Sequence, residues 1–421
     1  MVEQRQNWAG NYTFKAESFQ QPETLEQLQT VVRRAERVKA LGSGHSFNAI
    51  ADTPGTQVSL GNFQVEPQID RERRTLTVGA GMKYGQVCRL LDEAGFAVHN
   101  MASLPHISIA GAIATATHGS GDRNGNLATA VSALELVTAD GQVVTLSREK
   151  DGEKFAGAVV SLGGLGIVSR VTLDLVPAFQ VRQVVYENLP LEQLEAHFDE
   201  IVSSAYSVSL FTRWEGDYIQ QVWQKHRVSD DKAAAPETEW FGAKAATVKR
   251  HPILGLPAEA STEQLGQAGP WYERLPHFRV DFTPSSGEEL QSEYLVPRAQ
   301  AVAALRAVNR LRERISPLLQ VSEIRTIAAD NLWLSPCYRQ ERVGFHFTWL
   351  KDWEAVRQLL PLLEESLAPF DAVPHWGKLF TTPPQRVQAM YQRLGDFRQL
   401  LAALDPQGKF RNAYLDKYIY G

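Results

Sequence analysis

The chain has 421 residues, 43% hydrophobic and 22% charged, the make-up of a soluble protein that buries a large core and is long enough for two domains. Its 43 basic and 48 acidic residues give a net charge of −5, which excludes nucleic acid as the main partner, and no apolar run approaches a membrane span of ~18–20 residues. Cys88 and Cys337, the only two cysteines, are far apart, which excludes a disulfide framework and a cysteine-based metal site.

Residues 1–176 predict alternating helices and strands. The N-terminus is polar and lacks a signal-peptide core, so the cytoplasm is the expected compartment. A helix opens at Thr24, with Thr24 and Gln27 as a capping-box pair and Leu25, Leu28, Val31, Val32 and Ala35 on one apolar face. Strands follow at 38–41, 56–60 and 74–82, and a helix carrying Cys88 stops at Gly95. Residues 131–147 read as a hairpin turned on a two-residue Asp140-Gly141 loop. A short helix, a glycine-rich turn and a strand lead to a second region, 177–380. There the pattern predicts a helix over 191–206, strands at 207–214 and 218–224, and an Ala-, Pro- and Gly-rich excursion over 229–275. Strands at 277–282 and 290–296, a helix opening at Pro297, strands at 321–329 and 342–350, and a helix over 353–367 complete it. The segment 381–421 reads as a helix and an ordered turn, free to return to the first domain. The class is α+β, with a mixed or antiparallel sheet flanked by helices in the second domain.

Three stretches carry more glycine than regular structure requires: LGSGHS (41–46), MASLPHISIAGAIATATHGSG (101–121) and SLGGLGIV (161–168). Each reads either as tight turns between packed layers or as a concavity of backbone N–H groups suited to a pyrophosphate. In the second stretch Ser103, Ser108, Thr115, Thr117 and Ser120 add hydroxyl donors. The GGLG of the third precedes a strand instead of opening a helix, so a Rossmann fingerprint fails. Their occurrence together favours a buried dinucleotide.

Further on, Glu323 and Arg325 are two apart and share one face of a strand, as do His346 and Thr348, and Gln291 and Glu293. Phe345, Phe347 and Trp349 point the other way. Spacing alone leaves two readings open: solvated sheet faces with an ordinary ion pair, or the wall of a polar site.

The motifs GSGHSFNAIAD, NMASLPHISIAGAIATATHGSG and SLGGLGIVSRVTLDL resemble the FAD domain of the vanillyl-alcohol-oxidase type of flavoproteins. Together with FTPSSGEELQSEYLVPR, EIRTIAADNLWLSP, HFTW, PHWGKLF and DPQGKFRNAYL, they are most similar to alditol oxidases. The resemblance implies a two-domain fold, an N-terminal FAD domain and a substrate domain. It implies FAD bonded covalently through His45, with Ala40, Leu41, Gly42, Ser43, Gly44 and Ser46 around its pyrophosphate and ribityl chain. Ser103, Ser108, Gly111, Thr115, Ala116, Thr117 and His118 would line the flavin and phosphates, and Ile167 would give the adenine a backbone contact. His106 and His118 are read as structural or cofactor-shell residues. Neither cysteine lies in a motif suited to a second tether.

For the substrate, the resemblance implies Ser103, Gln291, Glu323, Arg325, His346, Thr348 and Lys378 above the flavin, a set suited to polyol hydroxyls. The expected reaction takes a hydride from the primary alcohol carbon to the flavin and gives H2O2 from O2. His346 is the first choice for general base and Lys378 the alternative, with Arg325 and Lys378 stabilising the alkoxide. The expected partners are a polyol and O2, with no metal, and the expected state is a monomer. An aldonolactone oxidase or dehydrogenase is the nearest rival. A flavin carrier without turnover, or a carbohydrate-binding protein without flavin, would show no polyol-dependent bleaching.

Overall fold

The structure is a computed structural model, and it describes residues 5–228, 237–282 and 287–421. Positions 229–236 of the expected excursion, and 283–286 of the FTPSSGEELQSEYLVPR motif, lie outside the described residues.

In the N-terminal half, Val38–Ala40 pairs in parallel with Thr56–Val58, which pairs with Ser18–Gln20. Beside this small sheet stands a five-stranded antiparallel one, in the order Gln68–Asp70, Thr75–Gly79, Ile167–Asp174, Val131–Val137, Val143–Ser147. Helix Leu25–Arg34 forms where predicted: Thr24 caps it by accepting the Gln27 N–H at 3.3 Å. The Gln27 side chain returns to the N–H of Glu23 instead of Thr24, so the box closes one residue early. Leu28 and Val32 of this helix, Val87 and Leu91 of Tyr84–Glu93, and Phe397 and Leu401 of the C-terminal helix Leu394–Leu404 are buried in one apolar core. The end of the chain therefore packs against its beginning.

The second half is built on a ten-stranded sheet. Its centre runs Gln180–Pro190, Tyr218–Arg227, Ser207–Thr212, Leu319–Ile327, Arg342–Leu350, Glu289–Pro297, every neighbour antiparallel. One face buries Phe345, Phe347 and Trp349 against helices Ala301–Asn309 and Trp353–Leu367. The opposite face of the same strands carries the polar residues. Among the described residues no helix is long and apolar enough to cross a membrane.

Four local expectations are corrected. The hairpin loop has three residues: Thr138 N–H bonds to Gln142 O at 2.9 Å and Gly141 N–H to Thr138 O at 2.8 Å, with Gly141 at φ 77°. The helix over 191–206 divides at His197, whose ring packs on Phe241 at 5.0 Å, into Leu191–Ala196 and Phe198–Val202. Pro297 ends a strand, its register partner being Arg342, and caps a 3-10 turn over Arg298–Gln300, after which the α-helix begins at Ala301. Residues 277–282 form no strand, because the N–H groups of His277 and Phe278 turn to the carbonyl of Ser103 at 3.1 and 3.3 Å.

Candidate active site

The three glycine-rich stretches meet along one groove, a cavity of about 340 Å³. Ala40, Leu41, Gly42, Ser43, Gly44, His45 and Ser46 form one wall, Ser108, Gly111 and Thr115 another, and Ser161 to Gly163 a third. The first two walls are bonded reciprocally: Ser43 N–H donates to Ser108 Oγ at 3.2 Å and Ser108 N–H to Ser43 Oγ at 3.1 Å. A Cβ on Gly42 would stand 2.3 Å from that Ser108 Oγ, so the close approach needs glycine. The third wall is held by Lys39, a buried lysine whose ammonium donates to the carbonyls of Leu162, Gly163 and Phe410 at 3.0, 3.0 and 3.2 Å. Gly81 also lines the groove, and a Cβ there would lie 1.9 Å from the backbone oxygen of Leu60. Gly81→Ala is expected to cost about 3 kcal/mol or more of stability, because backbone and not a flexible side chain must move. A denaturant midpoint unchanged from wild type would contradict this.

His45 lines the same groove. Its ring stacks on Trp8, centroids 4.9 Å apart and planes 21° from parallel. Its Nδ1 is buried and has no hydrogen-bond partner. Burial, aided by Lys378, lowers its pKa to about 4, so the imidazole is neutral.

A second cavity of about 170 Å³ lies between this domain and the polar face of the large sheet. Ser103, Gln291, Glu323, Arg325, His346, Thr348 and Lys378 all line it, as do Thr117 and His118. Residues directly opposite in an antiparallel sheet share a face. Register therefore builds two rows: Glu323–His346–Glu293 and Val321–Thr348–Gln291. Ala116, at φ 54°, is buried in the first apolar core, and Ile167 pairs with Val137 between groove residues Gly166 and Val168. His106 Nε2 donates to Val280 O at 2.8 Å.

The two cavities are joined by the segment that ends in Lys378. Phe47 N–H bonds to Gly377 O at 2.8 Å, and Asn48 Nδ2 donates to the carbonyls of Trp376 and Lys378, both at 2.8 Å. The loop after His45 thus holds Lys378 at the junction, its Nζ 5.0 Å from the Phe47 ring centroid.

The charges are arranged around Arg325. Its Nη2 donates to Glu293 Oε1 at 2.8 Å, and its Nε lies 3.6 Å from Glu323 Oε2. Burial pushes both carboxyls upward, but Arg325 outweighs it, joined by His118 on Glu293 and His277 on Glu323, and both stay ionised. His118 Nδ1 donates to Gly119 O at 2.9 Å, and its Nε2 lies 3.2 Å from Glu293 Oε1 without a hydrogen bond to it. Gln291 organises the other row. Its Nε2 donates to the Glu289 carboxylate, and its Oε1 accepts from Lys378 Nζ and lies 3.1 Å from His346 Nε2. The carboxylate and the ammonium fix the orientation of the amide, so His346 must carry its proton on Nε2 and its lone pair on Nδ1. Burial lowers His346 to about 3 against the pull of Glu293, and lowers Lys378 to about 8. At neutral pH the imidazole is in its base form and the lysine in its acid form.

Sequence reasoning missed several of these groups. Glu293 shares the two-residue alternation of Gln291, which was its signal, and His375 belongs to the motif of Lys378. Trp8, Lys39 and His277 are lone residues without one. Among the described residues His118, Glu293 and His375 have the spacing of a metal site, their ligating atoms within 4.8 Å. Arg325 donates to Glu293 Oε1 at 2.8 Å, and the Gly377 N–H donates to His375 Nδ1 at 3.0 Å.

Comparison with known proteins follows the same division. A family model described as an FAD binding domain matches residues 16–147, and one described as D-arabinono-1,4-lactone oxidase matches residues 286–418. The alditol oxidase of Streptomyces sp. (strain IKD472 / FERM P-14339) is 49% identical over 419 residues, 99% of each chain. The L-gulonolactone oxidase of Bos taurus is 27% identical over 444 residues, 99% of this chain and 98% of its own. Among solved structures, cholesterol oxidase from B. sterolicum superposes with a TM-score of 0.78 at 14% identity, covering 99% of this chain and 96% of that one, a likeness of fold.

Proposed function

The chain belongs to the alditol oxidase family, and from that starting point we propose that it oxidises the primary alcohol carbon of an alditol, such as xylitol or sorbitol, to the aldose. It is an FAD-dependent oxidoreductase with the two-domain α+β fold of the vanillyl-alcohol-oxidase type. The residues of the groove suit FAD: reciprocal serine bonds, a close glycine approach at Gly42, and a partnerless buried Nδ1 on His45. His45 is the covalent anchor in this reading. FAD, when bound, accepts the hydride and passes the electrons to O2, releasing H2O2.

The observation that carries the substrate assignment is the set of polar residues on the two rows, with Lys378 bonded to Gln291 in the same cavity. Glu323, Gln291, Thr348 and Ser103 exchange hydrogen bonds with the polyol hydroxyls and orient the reacting carbon. Nδ1 of His346 takes the hydroxyl proton, and the imidazolium so formed lies beside Glu293 and Glu323 in the same row. Lys378 and Arg325 hold positive charge against the developing alkoxide.

These roles set the sign of the pH dependence. Above pH ~4 His346 stays in its base form, while Lys378 loses its charge as the pH passes about 8. The limiting rate of flavin reduction is expected to be level through neutral pH and to fall above about 8. A rate that rises through that pH would make Lys378 the base. Anaerobic reduction by xylitol, sorbitol, glycerol and an aldonolactone, followed by air and peroxide detection, tests the function itself. The lactone arm answers the second reading, favoured by the lactone-oxidase model over residues 286–418. Faster reduction by the lactone than by every alditol would replace the present assignment.

A further inference from the structure

Lys225 lies in the strand Tyr218–Arg227 and is 0% exposed. Its three donors are all used: Nζ reaches Leu275 O at 2.5 Å, Pro276 O at 3.0 Å and His277 Nδ1 at 3.1 Å. Burial lowers the Lys225 pKa to about 7 and keeps the His277 ring neutral; the ionised Glu323 can only accept, so that ring carries its proton on Nε2 and offers Nδ1 as the acceptor for Lys225. That Nε2 stands 2.8 Å from Glu323 Oε1. Phe211 and Trp223 pack edge-on against the ring, with centroids at 5.3 and 5.4 Å. Lys225 does not line the substrate cavity, whereas His277 and Glu323 do.

We infer that Lys225 and His277 are a positioning pair for alditol recognition: Lys225 selects the tautomer of His277, and His277 Nε2–H pins the Glu323 carboxylate with its remaining lone pairs turned to the substrate. The inference rests on Glu323 being a ligand of the polyol, as proposed above. Without the pin, Glu323 is free to close on Arg325, whose Nε already lies 3.6 Å from Oε2, and the carboxylate is lost to substrate hydroxyls. With the other tautomer, the Nε2 lone pair would face the carboxylate and drive it the same way.

The test is a double-variant cycle on the FAD-loaded enzyme, read as KM and limiting rate for xylitol, with flavin content and Tm measured alongside. Lys225→Met alone is expected to raise KM about tenfold at unchanged flavin content. His277→Gln, whose amide N–H can still donate to Glu323 without help from Lys225, is expected to stay within about threefold of wild type. Adding Lys225→Met to His277→Gln then costs nothing further in KM, although Tm falls by the same amount in both backgrounds. An equal KM penalty in the two backgrounds, or none in either, overturns the inference. If Lys225→Met does not fold, the contrast of His277→Gln with His277→Leu decides: glutamine no better than leucine overturns it. A wild-type flavin that no alditol reduces overturns the proposed function instead, and so the two failures are distinct.

Discussion

Replacing Lys378 by methionine is expected to slow flavin reduction by xylitol about 10²–10³-fold, equivalent to ~3–4 kcal/mol of transition-state stabilisation. Methionine keeps most of the side-chain volume and removes the charge. The ammonium stands where the two cavities meet, held by backbone bonds from Asn48 and by its own bond to Gln291, so its position costs nothing to organise during the reaction. Flavin content should not change, because Lys378 lines the substrate cavity and not the groove. The fall in rate above pH about 8 should also disappear, since the group that loses its proton there is gone. Single-turnover reduction at the wild-type rate would remove Lys378 from the mechanism. The same loss of rate with the alkaline fall still present would assign that ionisation to another group.

His45→Ala is expected to leave no flavin in the acid-precipitated protein, where the wild-type pellet retains all of it. Nδ1 of His45 is a buried side-chain nitrogen with no hydrogen-bond partner, and burial keeps the ring neutral and nucleophilic. The reciprocal Ser43–Ser108 bonds and the Lys39-held turn do not involve His45, so non-covalent FAD should still bind and the native variant should remain yellow. A yellow acid pellet from the variant would place the tether elsewhere. A variant without flavin before acid treatment would make His45 a determinant of FAD binding itself.

Much of the substrate face is legible in the sequence because a strand has a period of two. Glu323 with Arg325, His346 with Thr348, and Gln291 with Glu293 must each share a face wherever their strands pair. What spacing leaves open is whether that face meets solvent or a ligand. Arg325 shows how the choice is made: it is 7% exposed and lies between two carboxylates that are themselves buried, an arrangement no solvated ion pair requires. Local turn chemistry is legible in part. Thr24 caps its helix as expected, but Gln27 reaches the residue before the cap, and the Asp140-Gly141 turn takes one more residue so that Gly141 can supply the left-handed position.

His277 shows where pattern reasoning stops. The alternation of HFRVDF predicts a strand, yet its backbone donors go to Ser103, more than a hundred residues away in sequence, and its side chain is placed by Lys225. Lys39 is a similar case, a single lysine in an apolar strand whose three acceptors come from two distant loops.

By itself, then, the sequence determined the class of the protein. Long motifs carried the FAD domain and the alditol oxidase family, and two-residue alternation placed the polar residues on common faces. Only the tertiary structure decided which of those faces meet. The register of Leu319–Ile327 and Glu289–Pro297 on the shared strand Arg342–Leu350 sets Glu323, His346 and Glu293 in one row. The loop after His45 then holds the segment that brings Lys378 to Gln291, in the neighbouring row. The reason is physical: periodicity is a property of one strand and can be read locally, whereas register, burial and the tautomer of a histidine depend on partners that the chain supplies from far away.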